Sequence, residues 1–404
     1  MLPSVQTSST RFASSLSTVL DLDTALHEVS EQALAQLETT PDLAFVFVSA
    51  DRVHYADYIA KTLTGLLDTG CLVGCAATSV IGTGAEIEAS PAVSVWLAKL
   101  PATQVMTMHL TFEATAEGNE ILGWPDELLE SYPDDASLIV LGEPFSFPAE
   151  SLLQQVDARF RGCRVVGGMA SAAHQPGGNA LLWGTEAFSH GAVCVLLSGS
   201  PQVCPVVSQG CRPIGEPFVV TRAEGKIIQE LGGQAAMTKF QQLFETLPNS
   251  EKELVHCGLH LGRVVSEYQD HRGQGDFLVR NVTGIDSETG AMTVGDYFRS
   301  GQTVQFHVRD QATADGEMRQ LLSEAVHLKQ EPLAGLLFSC NGRGTRLFDA
   351  TDHDVGLVTE YFGEIPLAGI FAAGEFGPVG SQNFVHGLTA SLAVFMREVA
   401  VDRC

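Results

Sequence analysis

Positive charge is scarce in this 404-residue sequence: 23 Lys and Arg stand against 48 Asp and Glu, a formal net charge of −25 at pH 7. No Lys/Arg cluster breaks the surplus, so phosphate backbones and anionic bilayers are repelled, and neither nucleic acid nor membrane is expected as a partner. No apolar run reaches the roughly 20 residues that a bilayer-spanning helix needs. Residues Met1–Ser17 lack the charged-then-apolar order of a signal peptide, and the first ten or so read as a frayed tail. The nine cysteines are odd in number and have no regular spacing. Together these features predict free thiols in a reducing, cytoplasmic setting. GxGxxG, GxxxxGK[ST] and GxSxG are also missing, which removes the usual support for dinucleotide, P-loop nucleotide and serine-hydrolase chemistry.

What is present is globular: 45% hydrophobic and 18% charged residues. Leu43–Ser49 reads as a buried strand, the stretch from Tyr55 to Leu67 as a helix, and Leu72-Val73 as a second strand, a parallel strand–helix–strand unit. Further strands are expected at Val93–Leu100, Gln104–Phe112, Ser137–Gly142, Arg164–Gly167, Ala180–Trp183 and Ala192–Ser198, with a helix at Ala149–Phe160. Later come Lys226–Phe244 as a largely helical stretch interrupted at Leu231-Gly-Gly233, strands at Val255–Val265, Phe277–Val282, Ala291–Val294 and Val304–Val308, and a helix capped by Asp310. Strands at Ala334–Phe338 and Pro366–Ala373 bracket a helix at Asp354–Phe362. The fold class is therefore α/β with α+β character: two domains of mixed β-sheets flanked by helices, dividing between about 200 and 245. Val73–Ala77, Val165–Ala170 and Leu367–Ala373 echo one another as apolar strands reaching Gly and small residues, an internal pseudo-repeat that duplication of a half-domain would explain.

Polar residues gather where the strand Leu336–Phe338 ends, at Ser339, Cys340, Asn341 and Arg343 between Gly342 and Gly344. Strand ends in α/β folds are ligand positions, and an Arg fork suits a carboxylate or phosphate. Glu375, Asn383 and His386 lie close by in sequence, and the plain alternative is a tight turn with Arg343 paired to Glu375. If the protein were an enzyme, Cys340 with His386 and Glu375 is the candidate set, although Phe338 stands where a nucleophile elbow has Gly. Cys211-Arg212-Pro213 is a second cluster on an expected stiff turn, with an acid partner for Arg212 as its plain reading. His256 and His260 would share a face if both lay on a strand, but no further metal ligand accompanies them, so no metal and no cofactor is expected.

These motifs resemble the FIST family (F-box and intracellular signal transduction), N- and C-terminal domains in order. The N-terminal likeness rests on Val73-Gly-Cys-Ala-Ala77, Ile81–Ile87, Val166-Gly-Gly-Met-Ala170, Gly191–Gly199 and Ser208–Gly215. The C-terminal one rests on Gln305–Asp310, Phe338–Gly344, Leu367-Ala-Gly369, Gly374-Glu-Phe-Gly-Pro378 and His386. Thr78-Ser-Val80 departs from the short-loop form of the first motif, and with it the role of Glu86. The resemblance implies a tail and lead-in helix over 1–39, a FIST N-terminal domain over 40–215, a connection over 216–245 and a FIST C-terminal domain over 246–398. It also implies a small-ligand sensor, with an amino acid or similar small anionic metabolite as ligand and a protein as output partner. Arg343 and Arg212 would be the charge partners, Asn341 and His386 the orienting groups, Glu375 the acceptor for an ammonium, and Cys340 and Cys211 lining. A protein-recognition scaffold, as in F-box relatives, and a Cys340-dependent hydrolase or transferase are the alternatives.

Overall fold

The computed structural model describes residues 9–398 except 116, 117, 131, 134, 266, 268–273 and 329, so the expected frayed tail lies almost wholly outside the described residues. The chain forms two compact units, one of Met1–Val207 with Arg319–Cys404 and an inserted one of Ser208–Met318.

The first unit runs through one succession of elements three times. The first pass is β1 (Arg11–Ser17), α1 (Leu22–Leu37), β2 (Leu43–Ser49), α2 (Ala56–Leu67), β3 (Leu72–Ala77), the hairpin β4 (Val80–Gly82) and β5 (Ala85–Ile87), and β6 (Val93–Lys99). The second is β7 (Thr103–Thr115) with β8 (Gly118–Leu122), α3 (Asp126–Glu130), β9 (Ser137–Gly142), α4 (Ala149–Arg159), β10 (Arg164–Met169), the hairpin β11 (Leu181–Trp183) and β12 (Glu186–Phe188), and β13 (Ala192–Gly199). The third begins with β14 (Gln202–Ser208) and is interrupted by the inserted unit. That unit contains β15 (Cys211–Glu224), β16 (Ile227–Leu231), β17 (Gln234–Ala235), α5 (Ala236–Thr246), α6 (Asn249–Cys257), β18 (His260–Val264), β19 (Phe277–Ile285), β20 (Met292–Val294) and β21 (Thr303–Arg309). The third pass resumes with α7 (Gln311–Val326), β22 (Gln330–Cys340), α8 (His353–Phe362), β23 (Leu367–Ala372), the hairpin β24 (Glu375–Val379) and β25 (Gln382–His386), and β26 (Ala390–Glu398).

Each pass makes a parallel pair joined by a helix (β2 with β3, β9 with β10, β22 with β23) and adds an antiparallel neighbour, β6, β13 or β26, to the first of them. The hairpins are exchanged in a cycle: β4–β5 pairs with β23, β11–β12 with β3, and β24–β25 with β10. The three sheets, β1-β6-β2-β3-β11-β12, β7-β13-β9-β10-β24-β25 and β14-β26-β22-β23-β4-β5, therefore share one topology. The parallel strands are apolar on both faces because both are covered. Phe45 and Phe47 of β2 point into a core shared with Ile139, Leu141, Leu336 and Phe338, while Ala44, Val46 and Val48 lie under α1 and α2.

The sequence echo marks the same place in each pass. A Cβ added to Gly74, Gly167 or Gly369 would stand 1.9, 2.0 or 1.8 Å from the carbonyl oxygen of Val46, Val140 or Leu337 respectively. Only a residue without a side chain lets the paired strand approach this closely. Beyond the glycines the three strand ends interlock. Ser171 N–H donates to Ala76 O (3.3 Å) and Ala373 N–H to Met169 O (3.1 Å). The third link runs through a hydroxyl: Thr78 N–H donates to Ser171 Oγ (3.0 Å), which donates to Phe371 O (2.5 Å).

The inserted unit is antiparallel. Its strands follow the order β15-β21-β18-β19-β20-β16, and a further β15–β16 pairing closes them into a barrel around Ile214, Val220, Leu261, Met292 and Phe306. Three sequence expectations fail here. The stretch expected as helix from Lys226 begins as β16, because Gly232 and Gly233 (φ 55° and 79°) make the turn that leads into β17, and the helix starts only at Ala236. The expected strand from Val255 is α6 as far as Cys257, ended at Gly258, so His256 and His260 do not share a strand face. Arg212 lies on the extended β15 rather than on a turn.

Candidate functional site

Strand β22 carries Ser339, Cys340 and then Asn341 out of the core of the first unit. Arg343 follows but turns inward and is fully buried. Its Nε and Nη2 donate to Asp354 Oδ2 and Oδ1, both at 2.7 Å, and Ser339 Oγ donates to Asp354 Oδ2 at 2.7 Å. Burial alone would raise the Asp354 pKa, but the Arg343 charge and these hydrogen bonds outweigh it and hold the carboxyl far below its ordinary range. The internal partner of Arg343 is thus Asp354, the second residue of α8, and not Glu375 as the plain sequence reading had it.

Glu86 closes this network from the exchanged hairpin. Its backbone N–H donates to Asp352 Oδ1 (2.6 Å), and its Oε1 accepts from Val355 N–H (2.9 Å) in the first turn of α8. Its Oε2 is buried and meets no hydrogen-bonding partner among the described residues. Burial, and after it the negative charge of Asp354, push the Glu86 carboxyl up to about 8. Next to it, Glu88 accepts from the N–H and hydroxyl of Thr345, at 2.9 and 2.7 Å. The turn after β22 is therefore laced to the hairpin of the first pass by three acids.

Thr389 links the remaining predicted residues Cys340 and Glu375 of this cluster. Glu375 and His386 face each other across β24 and β25, both buried. Glu375 Oε2 accepts from Thr389 N–H (3.0 Å), and His386 Nε2 lies 3.0 Å from Gly377 O. Cys340 N–H donates to Thr389 O (2.8 Å), and Asn341 N–H to Ala372 O (3.0 Å). Cys340 and Asn341 are both partly exposed. Gly342 N–H reaches Cys340 Sγ at 3.4 Å.

Comparison of the three passes shows what is particular about this corner. Ser49, Glu143 and Cys340 are equivalent, each donating its N–H to the segment before the last strand, at Ala92 O, Gly191 O and Thr389 O. Beside them the hairpin pairs are Val80 with Ile87, Leu181 with Phe188, and Glu375 with His386. Two passes place apolar pairs where the third buries a carboxylate against an imidazole. Sequence reasoning found both residues but not this contrast, which needs the register.

Arg212 and Cys211 belong to the inserted unit. Arg212 is committed to Glu251 (Nη1 to Oε1, 2.7 Å) and Asp310 (Nε to Oδ2, 3.1 Å). Cys211 is buried opposite Arg309. In the same unit His260 and His307 face each other across β18 and β21, and burial pushes each imidazole down to about 4. Among the described residues no three His, Cys, Asp or Glu side chains converge as a metal-binding set.

A model of the FIST N domain matches residues 42–234 of the chain, and a model of the FIST C domain matches residues 236–378. The chain belongs to the FIST family. The junction between the two matches falls inside the inserted unit, at Ala235, the last residue of β17. Among curated FIST relatives, the uncharacterized protein Rv0628c of Mycobacterium tuberculosis is 40% identical over 388 residues, covering 96% of this chain and 100% of its own. The uncharacterized protein Mb0898c of Mycobacterium bovis is 38% identical over 384 residues, covering 95% and 98%. FIST proteins as a family serve sensory and signal-transduction roles. No helix among the described residues is long and apolar enough to cross a membrane.

Proposed function

We propose that this FIST protein is a sensor that binds a small polar metabolite carrying an amine, an amino acid in the first instance, beside Cys340, Asn341, Glu375 and His386. One observation carries the reading: a carboxylate and an imidazole are buried in register where both equivalent hairpins carry aliphatic and aromatic side chains. Glu375 already accepts from Thr389 N–H, and in this reading a ligand ammonium adds a cation to that buried carboxylate. Asn341 and His386 then orient the ligand, and Cys340 lines its place. The Cys340 sulfur takes the N–H of the second residue on, as Glu143 Oε2 takes Phe145 N–H (3.0 Å) in the second pass. That parallel supports a turn-closing rather than a nucleophilic thiol. Arg343 and Arg212, with their forks engaged by Asp354 and by Glu251 and Asp310, act in this reading as internal struts. A cytoplasmic location accords with the eight described cysteines, all free thiols.

The test is a thermal-shift screen of amino acids and organic acids on the wild type and on Glu375→Gln. A ligand at one hundred times its Kd stabilises the fold by about 2.7 kcal/mol. A stabilising amino acid whose effect is lost in a folded Glu375→Gln variant supports the reading. A hit that Glu375→Gln leaves intact, or a flat screen, refutes it.

A further inference from the structure

The segment Thr18–Ala60 contains eight carboxylates and, among Lys and Arg, the single cation Arg52. That cation is turned inside: Arg52 is buried, and its Nη2 donates to Val19 O. The chain around it presents apolar side chains outward instead. Leu20 is 80% exposed, Tyr55 56% and Tyr58 47%. Two cross-links make them one surface of the first unit: the Arg52–Val19 bond, and Tyr58 Oη donating to Asp23 Oδ1 at 2.5 Å. They tie the turn before α1 to the start of α2. Asp21, Asp23, Asp51 and Asp57 are exposed around it. From Asp23 the surface continues along the open polar face of α1 formed by Asp23, Thr24, His27, Glu28, Glu31 and Gln32.

We propose that this surface docks a basic amphipathic segment of a partner protein: Lys or Arg side chains along the acidic face of α1, and an aliphatic or aromatic side chain against Leu20 and Tyr55. The charge pattern selects the occupant. A second copy of this chain, at −25, brings the wrong sign, whereas a cationic segment satisfies the carboxylates and stacks on the tyrosine faces. Exposed apolar side chains of this size rimmed by polar groups are an interaction feature rather than a solvent face. The proposal does not rest on the ligand reading above; it supplies the protein contact through which a chain of this architecture passes on a signal.

The test is fluorescence anisotropy with the full chain and a fluorescein-labelled amphipathic Leu/Lys helix peptide, at low and physiological salt. Three variants are compared: Asp23→Asn/Glu31→Gln/Asp51→Asn on the surface, Leu20→Ser/Tyr55→Ser on its apolar part, and Glu224→Gln/Glu245→Gln/Glu288→Gln on exposed acids of the inserted unit. The first and third remove the same charge. The expected result is salt-sensitive binding weakened by about tenfold in each of the first two and by less than about twofold in the third. Equal loss in the two charge variants makes the binding a general effect of net charge and overturns the proposal. No loss in Leu20→Ser/Tyr55→Ser, or no binding at all, overturns it as well. Circular dichroism of each variant confirms that the fold is retained.

Discussion

The Arg343–Asp354 pair is the place to perturb first, because its surroundings allow the size of the effect to be worked out. Arg343 is fully buried and donates two charge-assisted hydrogen bonds to Asp354, which takes a third bond from Ser339. Arg343→Met leaves a buried carboxylate without its cation, a loss of about 3–5 kcal/mol. Replacing the whole set, as Arg343→Met/Asp354→Leu/Ser339→Ala, removes the stranded charge and hydroxyl together and restores most of that loss, since hydrophobic replacement of a buried pair is about neutral or stabilising by ~1–4 kcal/mol. The sign of the pH effect follows from the depressed Asp354 pKa. The wild-type contribution is complete above the ordinary value of 3.8 and is lost as pH falls through the lower folded value. The assay is guanidinium unfolding followed by tryptophan fluorescence, which reads the first unit alone because all three tryptophans, Trp96, Trp124 and Trp183, lie there. A loss below about 1 kcal/mol in Arg343→Met, or a triple variant as unstable as the single one, refutes the account of Arg343 as an internal strut.

Other consequences follow from the same geometry. Glu86, raised to about 8, binds a proton in the folded state that the unfolded chain has released. Stability of the first unit therefore falls as pH rises from about 4.5 to 8, with a limiting slope of ~1.4 kcal/mol per pH unit; Glu86→Gln should abolish that slope in the fluorescence assay. His260 and His307, lowered to about 4, act with the opposite sign. The inserted unit loses stability as pH falls from 6.5 through 4, and hydrogen exchange in β18 and β21 measured across that range should accelerate accordingly. Ala at Gly74, Gly167 or Gly369 meets a carbonyl oxygen at 2.0 Å or less and should cost about 3 kcal/mol or more at each site. By contrast, Gly65→Ala in α2 and Gly356→Ala in α8, where the added methyl meets nothing within 4 Å, should each raise Tm by a gain of up to about 1 kcal/mol. Equal behaviour of the two glycine groups would contradict the threefold register.

Much of this molecule was open to reading from sequence because its parallel strands are apolar on both faces. Leu43–Ser49 and Ser137–Gly142 were placed residue for residue for that reason. The threefold echo around Gly74, Gly167 and Gly369 is legible too, although the 111 residues of the inserted unit, Ser208–Met318, hide that the third pass is one succession of elements. Strand β1 escaped notice because Ser14, Ser15 and Ser17 look like a loop; their hydroxyls are engaged by Thr83, Gln32 and Glu28, which lie elsewhere in sequence. The polar residues of the β22 turn were found by type, but their partners were not. Asp354 stands eleven positions after Arg343 on another element, and Glu86 comes from 269 positions before Val355. Glu86 and Glu88 reach this corner only through the hairpin exchange, and local patterning carries no trace of that.

That exchange also governs the order in which the protein is made. During synthesis β4–β5 emerges with its own parallel pair already complete, yet its place is on β23, with Val80 opposite Ile370. Almost 290 further residues must leave the ribosome before the first hairpin has a strand to join, and β10 keeps an open edge until Glu375 and Phe376 arrive. Contacts this distant delay the final closure, because the chain must give up loop entropy before any of them forms. A fragment ending between the two FIST domains would expose one orphaned hairpin and one bare sheet edge, the features that lead to aggregation. The two domains are therefore interlocked rather than strung together, and neither completes its sheets without strands of the other.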